Sequence, residues 1–178
     1  EAIASKAGVA TATVYNLVGT RDDLLDALIR KVVDDLAAVA AATTRYADPI
    51  AVAHLIVEQS VAAFTRDSST FRQIVAAGRS TQRPANVNRV DPSQLQVAAL
   101  RQARELGVLR DDVDPASLGR QVFISWIGAM NHWADGDLDD RGFAVAARHG
   151  LLVVLAASAA DGHRDRFLDE LRRAGAQL

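Results

Sequence analysis

The chain has no cysteine. That absence excludes thiol catalysis, cysteine metal sites and disulfide staples. A chain of 178 residues, 49% of them apolar, builds a core without such staples. Lack of cysteine also fits a reducing compartment, and a cytoplasmic location is expected. The chain lacks an excess of either charge: 20 Lys and Arg face 22 Asp and Glu, a net charge of -2. The basic surplus usual in nucleic-acid binders is therefore missing, and any such reading has to rest on a local motif. No long apolar run is present. The longest, Gly150 to Ala157, falls well short of the roughly 20 residues that cross a bilayer. No N-terminal stretch reads as a signal peptide, and no membrane partner is expected. Glycine-rich phosphate loops, nucleophile–base sets and metal-ligand spacings are also missing. The densest polar cluster, His132 with Asp135 and Asp137, sits at a helix end and reads as cap and turn, while His149 and His163 stand alone. The chain is read as a non-enzyme with no cofactor and no metal.

What is present is helical periodicity. Valines are common, but they fall at three- and four-residue spacings inside alanine-rich runs, without the alternation of a strand. Ile3, Ala4 and Ala7 predict a short helix ending at Gly8, a residue suited to the left-handed position after a helix. A second short helix is expected over about Thr11 to Leu17, with Val9 and Val14 as its inward anchors. Gly19-Thr20 breaks it. Thr20 then caps a long helix with Asp23 as its capping-box partner, and Leu24, Leu25, Leu28, Ile29, Val32, Leu36 and Val39 form one broad stripe to about Thr43. Asp48-Pro49, Asp91-Pro92 and Asp114-Pro115 each mark a further helix start, aspartate as cap and proline in the first turn. Helices are expected over roughly Ser69 to Ala77, Asp139 to Ala160 and Arg164 to Ala174, and Arg79 to Val90 reads as loop.

Two short helices joined by a glycine-containing turn form a helix-turn-helix. The second is about two turns long, a size that enters a major groove about 12 Å wide. Its hydroxyl and amide side chains, Thr11, Thr13, Tyr15 and Asn16, suit phosphate or base-edge contacts. The stretch Ile3 to Leu28, IASKAGVATATVYNLVGTRDDLLDAL, resembles the TetR family of bacterial repressors. The likeness lies in the Ile3-Ala4 pair, the Ala7-Gly8-Val9 turn, the Thr13-Val14-Tyr15 triplet, and Arg21 followed by two acids and Leu24-Leu25. Ala10 departs from the serine that often caps the recognition helix there, and Asn16 to Gly19 departs from a more aromatic stretch. The resemblance implies that Thr11, Thr13, Tyr15 and Asn16 face DNA, and that Arg21 meets phosphate at a helix N-terminus, where backbone amides also attract anions. It further implies that one more helix precedes this segment in the DNA-binding domain.

On this reading the fold is all-α, a helix-turn-helix domain followed by a helical bundle that binds ligand and dimerises. Residues 1–43 would be the remainder of the first domain including the start of the long connecting helix (the DNA-binding part about 1–31), and residues 44–178 the second. The stretch Leu106 to Leu118 and the surroundings of Trp133, Asp135 and Gly136 carry a weaker likeness to the same family. The nearly all-apolar turns from Gly150 to Ala157 call for a partner or a central position. Phe123, Ile127, Gly150, Leu151, Val154, Leu155 and Ser158 are expected at a homodimer interface formed by the last two long helices. A small-molecule pocket is expected around His54, Val57, Val61, Phe64, Phe71, Trp126, Met130, Asn131 and Trp133, apolar with a few polar groups. Taken one by one, the aromatics read more readily as core packing, and His54 reads equally well as a buried core histidine. The function this implies is a ligand-responsive regulator, a repressor binding double-stranded operator DNA as a homodimer and released by an unidentified effector. The other open reading is a dimeric ligand- or partner-binding module without DNA binding.

Overall fold

The computed structural model describes residues 4–5, 8–10, 12–13, 16, 21–44, 48–78 and 91–177. Among the described residues there are seven helices and no strand: α1 Arg21–Thr44, α2 Pro49–Thr65, α3 Ser68–Gly78, α4 Gln94–Glu105, α5 Pro115–Asp135, α6 Asp140–Ser158 and α7 Asp161–Gly175. The protein is all-α.

Local chemistry sets most of these boundaries. The Asp48 carboxylate accepts from the Ile50 N–H at 3.0 Å, capping α2 ahead of Pro49. Asp114 does the same for α5, accepting from the Ala116 and Ser117 N–H groups at 3.1 and 3.0 Å. These bonds satisfy amides that a helix start otherwise leaves without partners. The third aspartate–proline pair behaves differently. Asp91 is engaged by the Ser93 N–H and hydroxyl at 3.0 and 2.6 Å, a tight turn that delays α4 to Gln94. Gly107 and Gly136, with φ of 72° and 90°, take the left-handed conformation after α4 and α5, which costs a glycine little.

α6 ends at Ser158, two residues before the expected Ala160, because the chain there pairs with the α4–α5 connection. Leu109 and Ala159 form an isolated antiparallel bridge. The Arg110 N–H donates to the Ser158 carbonyl and the Ala160 N–H to the Val108 carbonyl, both at 3.0 Å. The Arg110 guanidinium adds a bond to the Ala157 carbonyl at 2.9 Å, so the last two carbonyls of α6 are satisfied without a glycine cap.

α5 packs against α3, α4 and α6; α2 packs against α1, α4 and α6; α7 lies on α6. Phe64, Leu100, Val122, Trp133, Phe143, Leu151, Leu155 and Phe167 are buried in one continuous core. Two glycines allow close helix contact. A methyl group on Gly119 would lie 2.8 Å from Val97 Cγ2 and 3.1 Å from the Ser93 carbonyl oxygen, and one on Gly150 would lie 2.7 Å from Ser125 Cβ. By length and composition α6 is apolar enough to cross a membrane; here Phe143, Ala147, Leu151 and Leu155 bury its inner face in the core.

Candidate ligand cavity and N-terminal turn

A half-open cavity of about 230 Å³ lies between α1, α2, α4 and α5. Its walls are Val32, Val33 and Leu36 of α1, Ile56, Val57, Ser60 and Phe64 of α2, and Val75 of α3. Pro92, Leu95 and Gln96 close one side, and Val122, Phe123, Trp126, Ile127, Met130 and Asn131 of α5 the other. Of the described residues lining it, none carries an ionisable side chain. Trp126 is held by its neighbours: its ring meets Phe64 edge-on at 5.3 Å and tilts against Phe143 at 5.7 Å.

The polar groups of the wall are few and unequally satisfied. The Ser60 hydroxyl donates to the Val57 carbonyl at 2.7 Å. The Gln96 amide nitrogen donates to the Ala53 carbonyl at 3.1 Å, which fixes the amide orientation and turns Oε1 the other way. That Oε1, on a side chain 4% exposed, and the Trp126 indole N–H are buried without a protein partner. Gln96 was not anticipated as a site residue. The available signal was its register, three, four and seven residues before Ala99, Leu100 and Ala103 on the buried face of α4.

Of the residues expected to form a pocket, the structure brings together Val57, Phe64, Trp126, Met130 and Asn131. The others lie elsewhere. Phe71 packs behind Phe64, ring centroids 5.2 Å apart. Trp133, 0% exposed, is a core residue whose indole N–H donates to Asp140 at 2.7 Å, with the Arg72 guanidinium 4.7 Å above its ring. Asp140 also accepts from the Ser68 hydroxyl at 2.6 Å, and these bonds hold its carboxyl below the ordinary carboxylate range. His54 and Val61 line open clefts on the far side of α2, facing α6 and α7. α2 is buried along two surfaces, so a single apolar stripe did not specify which neighbour each residue meets. His54 lies among Glu58, Arg148, Arg166 and Glu170, with Nε2 3.9 Å from Glu170. Burial first, then the positive charge of Arg148, lowers its pKa; Glu170 and Glu58 oppose the shift, and Arg166 reinforces it.

The expected interface residues also separate. Phe123 and Ile127 line the cavity, Leu151, Val154, Leu155 and Ser158 are buried within the single chain, and Gly150 packs on Ser125. The large apolar side chains that α5 and α6 turn outward are Ile124, 54% exposed, and Val153, 44% exposed.

Before α1, Ala4 and Ser5 are helical, Gly8 takes a φ of 65°, and Ala12, Thr13 and Asn16 are helical again. The Val9 N–H donates to the Ala4 carbonyl at 3.0 Å. Val9, expected to anchor inward, is 41% exposed: it lies in the bend after Gly8. Asn16 is exposed and Thr13 partly so. Thr11, Val14, Tyr15 and the Arg21 side chain lie outside the described residues. Among the described residues, no three metal-binding side chains converge. Comparison with known protein families, with curated proteins and with solved structures found no match for this chain.

Proposed function

We propose that this chain is a ligand-responsive transcriptional regulator of the TetR type. It acts as a homodimeric repressor whose N-terminal helix-turn-helix holds operator DNA until a small, largely apolar effector enters the cavity. The observation that carries the reading is the wall shared with α1. Val32, Val33 and Leu36 of α1 line the cavity, and the same helix begins at Arg21, directly after the motif carrying Thr11, Thr13, Tyr15 and Asn16. A molecule that widens the cavity pushes on α1 and re-aims the segment before it. The effector has to favour the non-binding arrangement, since equal affinity for both would shift nothing.

A module without DNA binding is the second reading. It is favoured by the local charge, since Lys6, Arg21, Arg30 and Lys31 are matched within the first 31 residues by Glu1, Asp22, Asp23 and Asp26.

Fluorescence anisotropy separates the two. The full-length protein is titrated onto DNA from upstream of its own gene over a salt series. The regulator binds that DNA tighter than a scrambled duplex and weakens steeply with salt as counterions are released. Tyr15→Ala lowers the affinity with the fold retained. If neither upstream DNA nor a genome-wide selection yields a preferred sequence, the module reading replaces it.

A further inference from the structure

The cavity has a shape as well as a size. α2 and α5 run along it side by side. The start of α4 meets both, through the Gln96 bond to the Ala53 carbonyl and the close approach of Gly119 to Ser93 and Val97. Farther along the two helices, Phe64 meets Trp126 edge-on. The lining residues extend from Ile56 to Phe64 on α2 and from Val122 to Asn131 on α5, about 12–13 Å along each axis at the usual rise of about 1.5 Å per residue. Spread over that length, about 230 Å³ leaves a passage about 5 Å across. Carbon atoms in contact sit about 3.5–4.0 Å apart, so that width admits one hydrocarbon chain and is narrow for a cage or for rings abreast.

Among the polar groups of the wall, one is open to an occupant on both counts, donor and acceptor. Gln96 Oε1 and the Trp126 indole N–H have essentially no accessible surface. The Gln96 amide nitrogen is engaged by Ala53, and the Ser60 hydroxyl donates to Val57. Asn131 is the last residue that α5 gives to the wall. It is half-buried, and its carboxamide has no hydrogen-bond partner among the described residues. It can donate and accept.

We infer that the cavity takes a single extended aliphatic chain, lying along α2 and α5, with a hydroxyl or carbonyl group held by the Asn131 carboxamide. The inference rests on reading this cavity as the effector site and names the class of effector.

Equilibrium dialysis of the full chain with n-hexanol, n-octanol, n-decanol and 1-adamantanol tests it. Each added methylene buries apolar surface, so affinity should rise about fourfold per carbon from n-hexanol to n-decanol. 1-Adamantanol has more carbon than n-hexanol but is wider than the passage, and it should bind more weakly than n-hexanol. Asn131→Leu lowers the affinity of every linear alcohol by about fivefold, as one hydrogen bond is lost, and leaves the increment per methylene unchanged. Ile127→Phe narrows the passage between Val122 and Asn131 and stops the increment at a shorter chain. If Ile127→Phe fails to fold, the wild-type series and Asn131→Leu still decide. A flat chain-length series, 1-adamantanol binding tighter than n-hexanol, an unchanged affinity in Asn131→Leu, or no binding of any probe would each overturn the inference. Anisotropy on the same preparations keeps the two readings apart. Chain-length-dependent binding without DNA binding sustains the cavity chemistry and sinks the regulator, whereas DNA binding without the chain-length dependence does the reverse.

Discussion

His54 shows how far a single side chain departs from the pattern around it. By spacing it shares a stripe with Val57 and Phe64, yet it faces Arg148, Arg166, Glu58 and Glu170. Burial and Arg148 favour the neutral ring, so its folded pKa lies below the ordinary value of about 6.5. The stability it contributes is therefore fully present above that ordinary value and is lost as pH falls toward the folded one. Urea unfolding of wild type at pH 7.5 and pH 5 should show lower stability at the acid end, and His54→Gln should shrink the difference. An equal loss in both proteins would remove His54 as the cause. The lowered carboxyls of Asp91, Asp114 and Asp140 lose their contributions only below about pH 4, since carboxylate titration begins there, and leave this window clear. Capping aspartates were legible from the sequence because their bonds are local. The side of α2 that His54 takes was not, because it depends on where α6 and α7 pass.

At the scale of elements, helix contacts are set by small residues whose role no periodicity reveals. Gly150 to alanine should stabilise an isolated helix by about 1 kcal/mol. In the bundle, the added methyl would sit 2.7 Å from Ser125 Cβ, and overpacking of this kind costs about 1–3 kcal/mol. Gly150→Ala is thus expected to lower stability, and Ser125→Gly in the same chain to recover most of the loss. Thermal unfolding of the two single variants and the double one measures that coupling. Additive effects would mean α5 and α6 are not in contact there. The helices themselves were readable from apolar spacing and from the Asp48-Pro49 and Asp114-Pro115 starts. The late start of α4 and the early end of α6 were not, since one follows from the Ser93 bonds to Asp91 and the other from a backbone bridge 50 residues away in sequence.

For the molecule as a whole, the last long helices were legible as too apolar to stand alone, but their inner and outer faces were not. Leu151 and Leu155 fill the chain's own core, while Ile124 and Val153 face out on either side of the Gly150–Ser125 contact. If α5 and α6 pair with their copies, these two residues meet the partner. Sedimentation at micromolar concentration should then give a dimer for wild type and a monomer of unchanged helicity for Ile124→Asp with Val153→Asp. A wild-type monomer would count against the homodimer. The cavity was half visible in the same way. Phe64, Trp126 and Met130 suggested it, whereas Val32, Val33 and Leu36 come from a helix far away in sequence.

The same pocket bears on how the folded state answers pressure. Pressure favours unfolding by eliminating internal space that water does not fill, and the roughly 230 Å³ between α1, α2 and α5 opens to solvent, so it adds little to that loss. A molecule that displaces the water from it stabilises the folded state by mass action alone, and its effect on the midpoint of unfolding should be nearly the same at ambient and at raised pressure.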